Sequence, residues 1–316
     1  MTSSVTSASR SAISFSGHET FVCRHGWLKK AFDEIGRDPA AFSSDEPMVT
    51  LGVGKNMVRS IRHWALATRI VEEIPGTRGL QLQPTLIGKF LFGTGGKDPY
   101  LEDPNSLCLL HWNLATNERR AATWTWAFHF LRTYEFTRES LLGVIQDELR
   151  RRDIVLPSEH SLRRDIDCFI RTYAGLRNPK GGVREDSLEC PLTELGLLGA
   201  DDFGSILFFR PKFHRSLGMA VFVFALADFW DRSAPKRETM PFPDIAYGFL
   251  SPGMAFKIDE NGLTERLELL EKFTNGQLVY TDTAGVRQVY RRGGPISTMD
   301  LLSRSYEDTD PRGQLD

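Results

Sequence analysis

The sequence predicts a mainly α-helical protein with small β-wings, built from multiple winged helix-turn-helix-like units around a helical core. Three observations predict it. Apolar residues recur at helical spacing through most of the 316 residues. The few alternating stretches are short and flank Gly-bearing turns. The order helix, tight turn, helix, strand-like segments occurs more than once. The length suggests two or three domains. We expect an N-terminal winged-helix unit plus helical core at 15–135, a second winged-helix-like unit at 136–213, and a C-terminal helical and β-hairpin unit at 214–302. Residues 1–14 and 303–316 are polar and expected to be disordered.

The elements follow in order. Residues 26–37 place Leu28, Phe32 and Ile35 on one helix face. "LGVG" (51–54) is a tight turn, and "KNMVRSIRHWALAT" repeats Met57, Ile61 and Trp64 at a helical period. "RIVEEIPGTRGLQLQP" reads as two short strands around Pro-Gly and Arg-Gly turns, followed by a helix at "TLIGKFLFG". Residues 98–131 hold His111, Trp112, Trp124 and Trp126 and read as a helical core. A helix at 137–152 has Thr137 as its N-cap, and one at 158–173 has Ser161 as its cap. "SILFFRP" is strand-like, and 217–230 is an apolar buried helix. Residues 262–273 are helical, and 276–292 alternate around "DTAG" as a hairpin.

Composition narrows the function. A net charge of −2 excludes a polycation, so nucleic-acid binding needs a local patch. The four cysteines have no CxxC spacing, which argues for free buried thiols in a reducing cytoplasm rather than zinc or disulfides. The apolar run at 217–230 is too short to span a bilayer, and Asp228 interrupts it.

The strongest functional signal is the helix beginning at Lys55. Lys55, Asn56, Arg59 and Arg62 put cations and an amide where a groove-reading helix needs them, although charge runs are usually only solvated faces. Arg163 and Arg164 on the helix at 158–173 offer a similar but weaker face, diluted by Asp165 and Asp167. "GVGK" (52–55) is not a Walker A loop, because position 49 is Val and position 56 is Asn.

"FSGHET" (15–20) poses the chemical question. Ser16 and Glu19 match a capping box, which needs no catalysis. That reading leaves His18 and Arg24 over, and a His18–Glu19 pair with Arg24 suits proton transfer and charge stabilisation at a phosphate. Glu102 and Asp103 are weak candidates for a divalent cation. Asp165 and Asp167 do not face one another on a helix, and Asp165 is expected to pair with an arginine. Trp112 and Trp126 are better read as core than as stacking platforms.

"FSGHETFVCRHGWLKK", "LGVGKNMVRSIRHW", "LEDPNSLCLLHWNLA", "SLRRDIDCFIRTY", "EDSLECPLTELGLL" and "AGVRQVYR" occur in this order. Together they resemble the SspB-like family of bacterial DNA phosphorothioation operons, a domain-of-unknown-function family. The resemblance runs from about residue 15 to 292. It implies a DNA-nicking endonuclease of an anti-phage modification system, cutting one strand so that sulfur can replace a non-bridging phosphate oxygen. Implied partners are DNA and the cysteine desulfurase, PAPS-reductase-like sulfurtransferase and ATPase of the same operon, with no membrane and with a homodimer as one assembly. Mg2+ or Mn2+ would assist the cleavage. The resemblance assigns no catalytic residue; His18, Glu19 and Arg24 stand on motif position and chemistry. The rival is a non-catalytic winged-helix DNA-binding adaptor or regulator.

Overall fold

The computed structural model describes residues 13–44, 47–174, 190–210, 217–293 and 296–307. The disorder expected for 1–12 and 308–316, and most of the motif at 185–190, lie outside these residues. The fold is mainly helical with three small antiparallel sheets.

Helix α1 (Trp27–Arg37) forms where predicted, burying Trp27, Leu28, Ala31 and Ile35. After a one-turn helix α2 (Pro47–Thr50), the chain turns at Gly52 (φ 65°) into α3 (Lys55–Ala67). A left-handed φ there suits glycine because a Cβ would crowd the carbonyl. Strands β1 (Val71–Glu73) and β2 (Leu82–Pro84) pair antiparallel as the expected hairpin, with Val71 opposite Pro84. Helix α4 (Leu86–Phe92) follows, its first turn capped by Thr85, which accepts from the Gly88 amide.

Gly88 is fixed by contact rather than conformation. A Cβ there would stand 2.1 Å from the Ile70 carbonyl oxygen at the base of the hairpin. Gly88→Ala is therefore expected to destabilise the protein by about 1–3 kcal/mol through overpacking against backbone. Chemical denaturation tests this; an unchanged midpoint would contradict the close crossing.

The centre is α5 (Pro104–Ala115) and α6 (Ala122–Phe130). Both are apolar nearly all round, as helices buried on all sides must be. Trp112, Trp124 and Trp126 are buried there. His111 bridges the layers, with Nδ1 2.8 Å from the Tyr173 hydroxyl and Nε2 2.9 Å from the Ala255 carbonyl. The tryptophans and His111 are thus core, as their spacing implied.

Strand β3 (Glu135–Phe136) leads into α7 (Arg138–Arg151), where Thr137 forms a capping box with Ser140. Helix α8 (Glu159–Tyr173) is capped by Ser158, which accepts from the Ser161 amide. The cap therefore lies three residues before the expected Ser161. Strands β4 (Leu198–Ala200) and β5 (Leu207–Phe209) form a sheet in the order β3-β5-β4. The sheet that follows α8 thus has three strands, one contributed from before α7.

Helix α9 (Met219–Ser233) is the buried apolar helix, and Asp228 on it accepts from the Trp112 indole at 2.7 Å. Strand β6 (Thr239–Pro241) precedes α10 (Phe242–Tyr247) and α11 (Pro252–Ala255). The helix predicted at 262–273 is two pieces, α12 (Glu260–Glu268) and α13 (Leu270–Phe273), split at Leu269. Strands β7 (Leu278–Thr283) and β8 (Val286–Arg291) make the hairpin, and β6 adds a third strand in the order β6-β8-β7.

Residues 303–307 are helical, which corrects their expected disorder. They end α14 (Thr298–Glu307), where Tyr306 packs edge-on to Phe90 and shares a 2.9 Å hydrogen bond with Ser106. Buried apolar residues from Val22 to Leu302 form one connected core across all three segments. Among the described residues, no helix is long and apolar enough to cross a membrane.

Candidate nucleic-acid interface

The first turns of α3 present Lys55, Asn56 and Arg59 to solvent, while Val58, Ile61 and Trp64 enter the core. Gly54 at the N-cap offers no side-chain acceptor, and the first turn holds no acidic residue. The backbone amides and the positive end of the helix dipole therefore face the same side as two cations, an arrangement that favours a phosphate. Lys55 and Arg59 also line a hollow of about 290 Å³ with Ser43 and Ser44.

Arg62 departs from the expected row. Its Nη2 donates to the Gly79 carbonyl at 2.8 Å, tying α3 to the hairpin turn. Burial, then the Arg120 guanidinium, lowers its pKa. It braces the hairpin instead of joining the exposed row.

The segment 16–20 is not a capped helix start. It is a run of turns in which Ser16 (φ 62°), Glu19 (φ 50°) and Thr20 (φ 67°) are all left-handed without being glycine. Such strained backbone persists only where its surroundings over-determine it. The Ser16 amide donates to Asp165 Oδ1 at 2.6 Å, and the Glu19 amide donates to the Ser16 carbonyl. Neither bond belongs to the expected capping box. The Arg171 guanidinium donates to the Thr20 carbonyl at 2.5 Å, and the Trp64 indole to the Phe21 carbonyl at 3.0 Å. Gly17 packs so closely on His63 that a Cβ would lie 2.5 Å from its Nδ1. The segment is a strap stretched between α3 and α8.

His18 lies inside this strap, fully buried. Its Nε2 sits 2.7 Å from Asp165 Oδ1, and its Nδ1 accepts the Thr20 amide at 3.0 Å. The Thr20 amide can donate to Nδ1 only while the ring is neutral, with the ring proton then on Nε2 toward Asp165; a protonated ring gives up that bond and keeps the one to Asp165. Burial lowers the ring's pKa, but Cys168 and the Asp165 carboxylate outweigh it and raise the pKa above 6.5. Asp165 is held below its ordinary value: burial pushes it up, and the His18 and Ser16 hydrogen bonds pull it down further. Asp165 thus pairs with His18 and not with an arginine. Neighbouring His63, also buried, is lowered to about 3, by desolvation first and His18 second.

The strap lifts Glu19 to the surface, where its Oε1 is 3.5 Å from Arg59 Nη1. The two side chains are 31% and 57% exposed, so the pair is loose and worth little by itself. Arg24 stacks by Phe21 and Trp27, at 5.9 and 5.5 Å from the ring centroids, and lines a small hollow with Thr20 and Arg171. Glu19 and Arg59 thus meet at the surface of the strap, with Lys55 beside Arg59 in one hollow and Arg24 in another with Thr20 and Arg171.

The second basic face does not form as expected. Arg163 makes two bonds to Glu139, at 2.6 and 2.9 Å, and one of 2.8 Å to Glu159. Arg164 is exposed, and Asp167 pairs with Arg138 at 3.0 Å. The metal candidates also have other work. Asp103 caps α5, accepting from the Asn105 amide at 2.7 Å, while the Glu102 and Asp103 amides donate to Asp98. Among the described residues, no group of three or more His, Cys, Asp or Glu side chains is placed to hold a metal. Glu102 and Asp103 therefore do not fit a dedicated cation site. The four cysteines are free and buried.

Sequence reasoning overlooked Asp98, His63 and Arg171. Asp98 carried a signal: an aspartate shortly before an Asp-Pro helix start is suited to holding the amides between. The contacts of His63 and Arg171 are set by packing of distant elements and had no local signal.

A family described as a protein of unknown function, DUF4007, matches residues 15–306. The chain belongs to this family. The chain is also similar to solved structures. A crystal structure of SspB is 32% identical, with a TM-score of 0.82, covering 95% of this chain and 90% of that one. A magnesium ion-bound SspB crystal structure is 31% identical with the same TM-score and coverage. The SspB-like resemblance seen in the motifs therefore extends to the three-dimensional fold. No curated protein matches the chain.

Proposed function

We propose that this protein is a DNA-nicking endonuclease of a bacterial DNA phosphorothioate modification and anti-phage defence system. One observation carries the reading: in an SspB relative, an exposed Lys55–Asn56–Arg59 row crowns an uncapped helix start beside a strained loop bearing Glu19. The row holds the sugar-phosphate backbone, as a winged-helix unit would. Arg24 and Arg59 offset charge on the attacked phosphate, and Glu19 accepts the proton of the attacking water. His18 acts through Asp165 as a positioning residue that fixes the strap. Arg164 adds a peripheral contact. The cut strand then passes to the operon's cysteine desulfurase, sulfurtransferase and ATPase. The magnesium-bound relative motivates supplying Mg2+ or Mn2+ in assays.

Burial of His18 gives weight to a second reading, a non-catalytic DNA-binding adaptor. Supercoiled plasmid incubated with the protein and Mg2+ or Mn2+ separates the two. The nickase reading predicts open circles, and a Glu19→Gln protein that binds DNA normally but nicks about 100-fold more slowly or worse. Tight DNA binding without any open circles would leave the adaptor.

A further inference from the structure

A large cavity lies at the other end of α3. It is a cleft of about 1060 Å³ under the β1–β2 hairpin, bounded by α4, the turn between α5 and α6, α9 and α14. Four guanidiniums line it, from Arg69, Arg78, Arg119 and Arg120, against the carboxylates of Glu72 and Glu73. Glu73 is shared by Arg119 and Arg120, so one carboxylate serves two cations. Arg69 is held in place by the Thr116 carbonyl at 2.7 Å. The opposite wall is apolar, with Leu86, Phe224 and Met299. In a chain of net charge −2, this is a local concentration of positive charge facing apolar surface.

That pairing suits nucleotides, whose phosphates match guanidinium forks and whose bases seek apolar and aromatic faces. The size points to more than one nucleotide. The volume reaches the top of the range for small-ligand pockets, about 300–1,000 Å³. Its rim is open, with Arg78, Leu86 and Arg119 all exposed. The cleft is also separate from the Lys55 face. It is centred beyond the C-terminal end of the 13-residue α3, about 20 Å from Lys55, and its hairpin wall reaches back to Arg62 in mid-helix.

We propose that this cleft binds single-stranded DNA, with phosphates on Arg78, Arg119 and Arg120 and bases against Leu86 and Phe224. The inference rests on the DNA reading above and adds a second, strand-specific site to it. A nickase that binds duplex at one end of α3 thereby retains a strand freed by the cut at the other.

The test is fluorescence anisotropy with a labelled oligothymidylate of about 20 nucleotides and a labelled duplex of equal length. Full-length wild type, Arg78→Glu, Arg119→Glu, Arg119→Lys and Lys55→Glu/Arg59→Glu proteins are compared, with thermal melts confirming folding. Arg78→Glu and Arg119→Glu should each weaken oligothymidylate binding by about tenfold and leave duplex affinity within about twofold, while Arg119→Lys recovers most of the loss. Lys55→Glu/Arg59→Glu should do the reverse. Absence of oligothymidylate binding by the wild type, or equal losses on both probes, overturns the cleft proposal. Competition by free dTMP or ATP as effective as by the oligonucleotide assigns the cleft to a free nucleotide and likewise overturns it. Failure of duplex binding alone counts against the α3 interface and leaves the cleft standing.

Discussion

Replacing Asp165 by alanine is expected to cost about 3–5 kcal/mol, the loss typical of breaking a buried ionic pair from one side. In a chain of this size that lowers the melting temperature by on the order of 10 °C. The effect is large because one carboxylate serves two partners. It receives the Ser16 amide and faces His18 Nε2 at 2.6 and 2.7 Å. Without it, a fully buried imidazole and the amide of a left-handed residue lose their acceptor. Thermal denaturation with His18→Ala/Asp165→Ala alongside sharpens the test. The double variant should be less destabilised than the two single losses added together, since each single variant strands the other partner. An Asp165→Ala protein as stable as wild type would show that the strap is not held this way.

The pair also sets a pH dependence. His18 is raised above 6.5 in the fold, so its share of the stability is complete below that pH and fades as pH climbs beyond it. Asp165 is lowered below 3.8, so its share is complete above that value and fades as pH falls past the depressed folded value. The contribution of the pair is therefore greatest between about pH 4 and 6.5. Asp165→Ala should flatten the stability profile on both sides of that window.

Reversing charge at Lys55 and Arg59 together is expected to lower duplex DNA affinity by about 100-fold at moderate salt, since each phosphate contact is both lost and made repulsive. Both residues are exposed at the start of α3, and the contact of Arg59 to Glu19 is a loose 3.5 Å one, so the fold should tolerate the change. Nicking should fall in parallel because binding precedes it. Arg163→Glu is the internal contrast. That side chain already spends its donors on Glu139 and Glu159, and DNA affinity should move by less than about threefold.

Much of the architecture was legible in the sequence because it is local. The period of Leu28 and Ile35 marks α1, and Met57, Ile61 and Trp64 mark α3. Gly76 and Gly79 mark the hairpin turns, both with left-handed φ. Strands β3 and β6 were not legible, because two or three residues carry no measurable alternation and their pairing partners are distant in the chain. The site divides in the same way. Lys55, Asn56 and Arg59 could be placed on an exposed helix start from spacing alone. His18 could not be placed, since its partner is 147 residues away and only packing decides whether a histidine is surface or core. Arg163 looked available because Glu139 lies 24 residues upstream on another helix. Asp103 is the instructive case: Asp followed by Pro is itself a helix-start signal, and that signal outweighs a metal reading.

The account depends most on the cationic start of α3 gripping a phosphate backbone. The direct measurement is the slope of log affinity for duplex DNA against log salt concentration, for wild type and for Lys55→Glu/Arg59→Glu. Loss of two backbone contacts should make the slope shallower by about 2. Superimposable slopes and affinities for the two proteins would contradict the interface and, with it, the proposed route to strand cleavage.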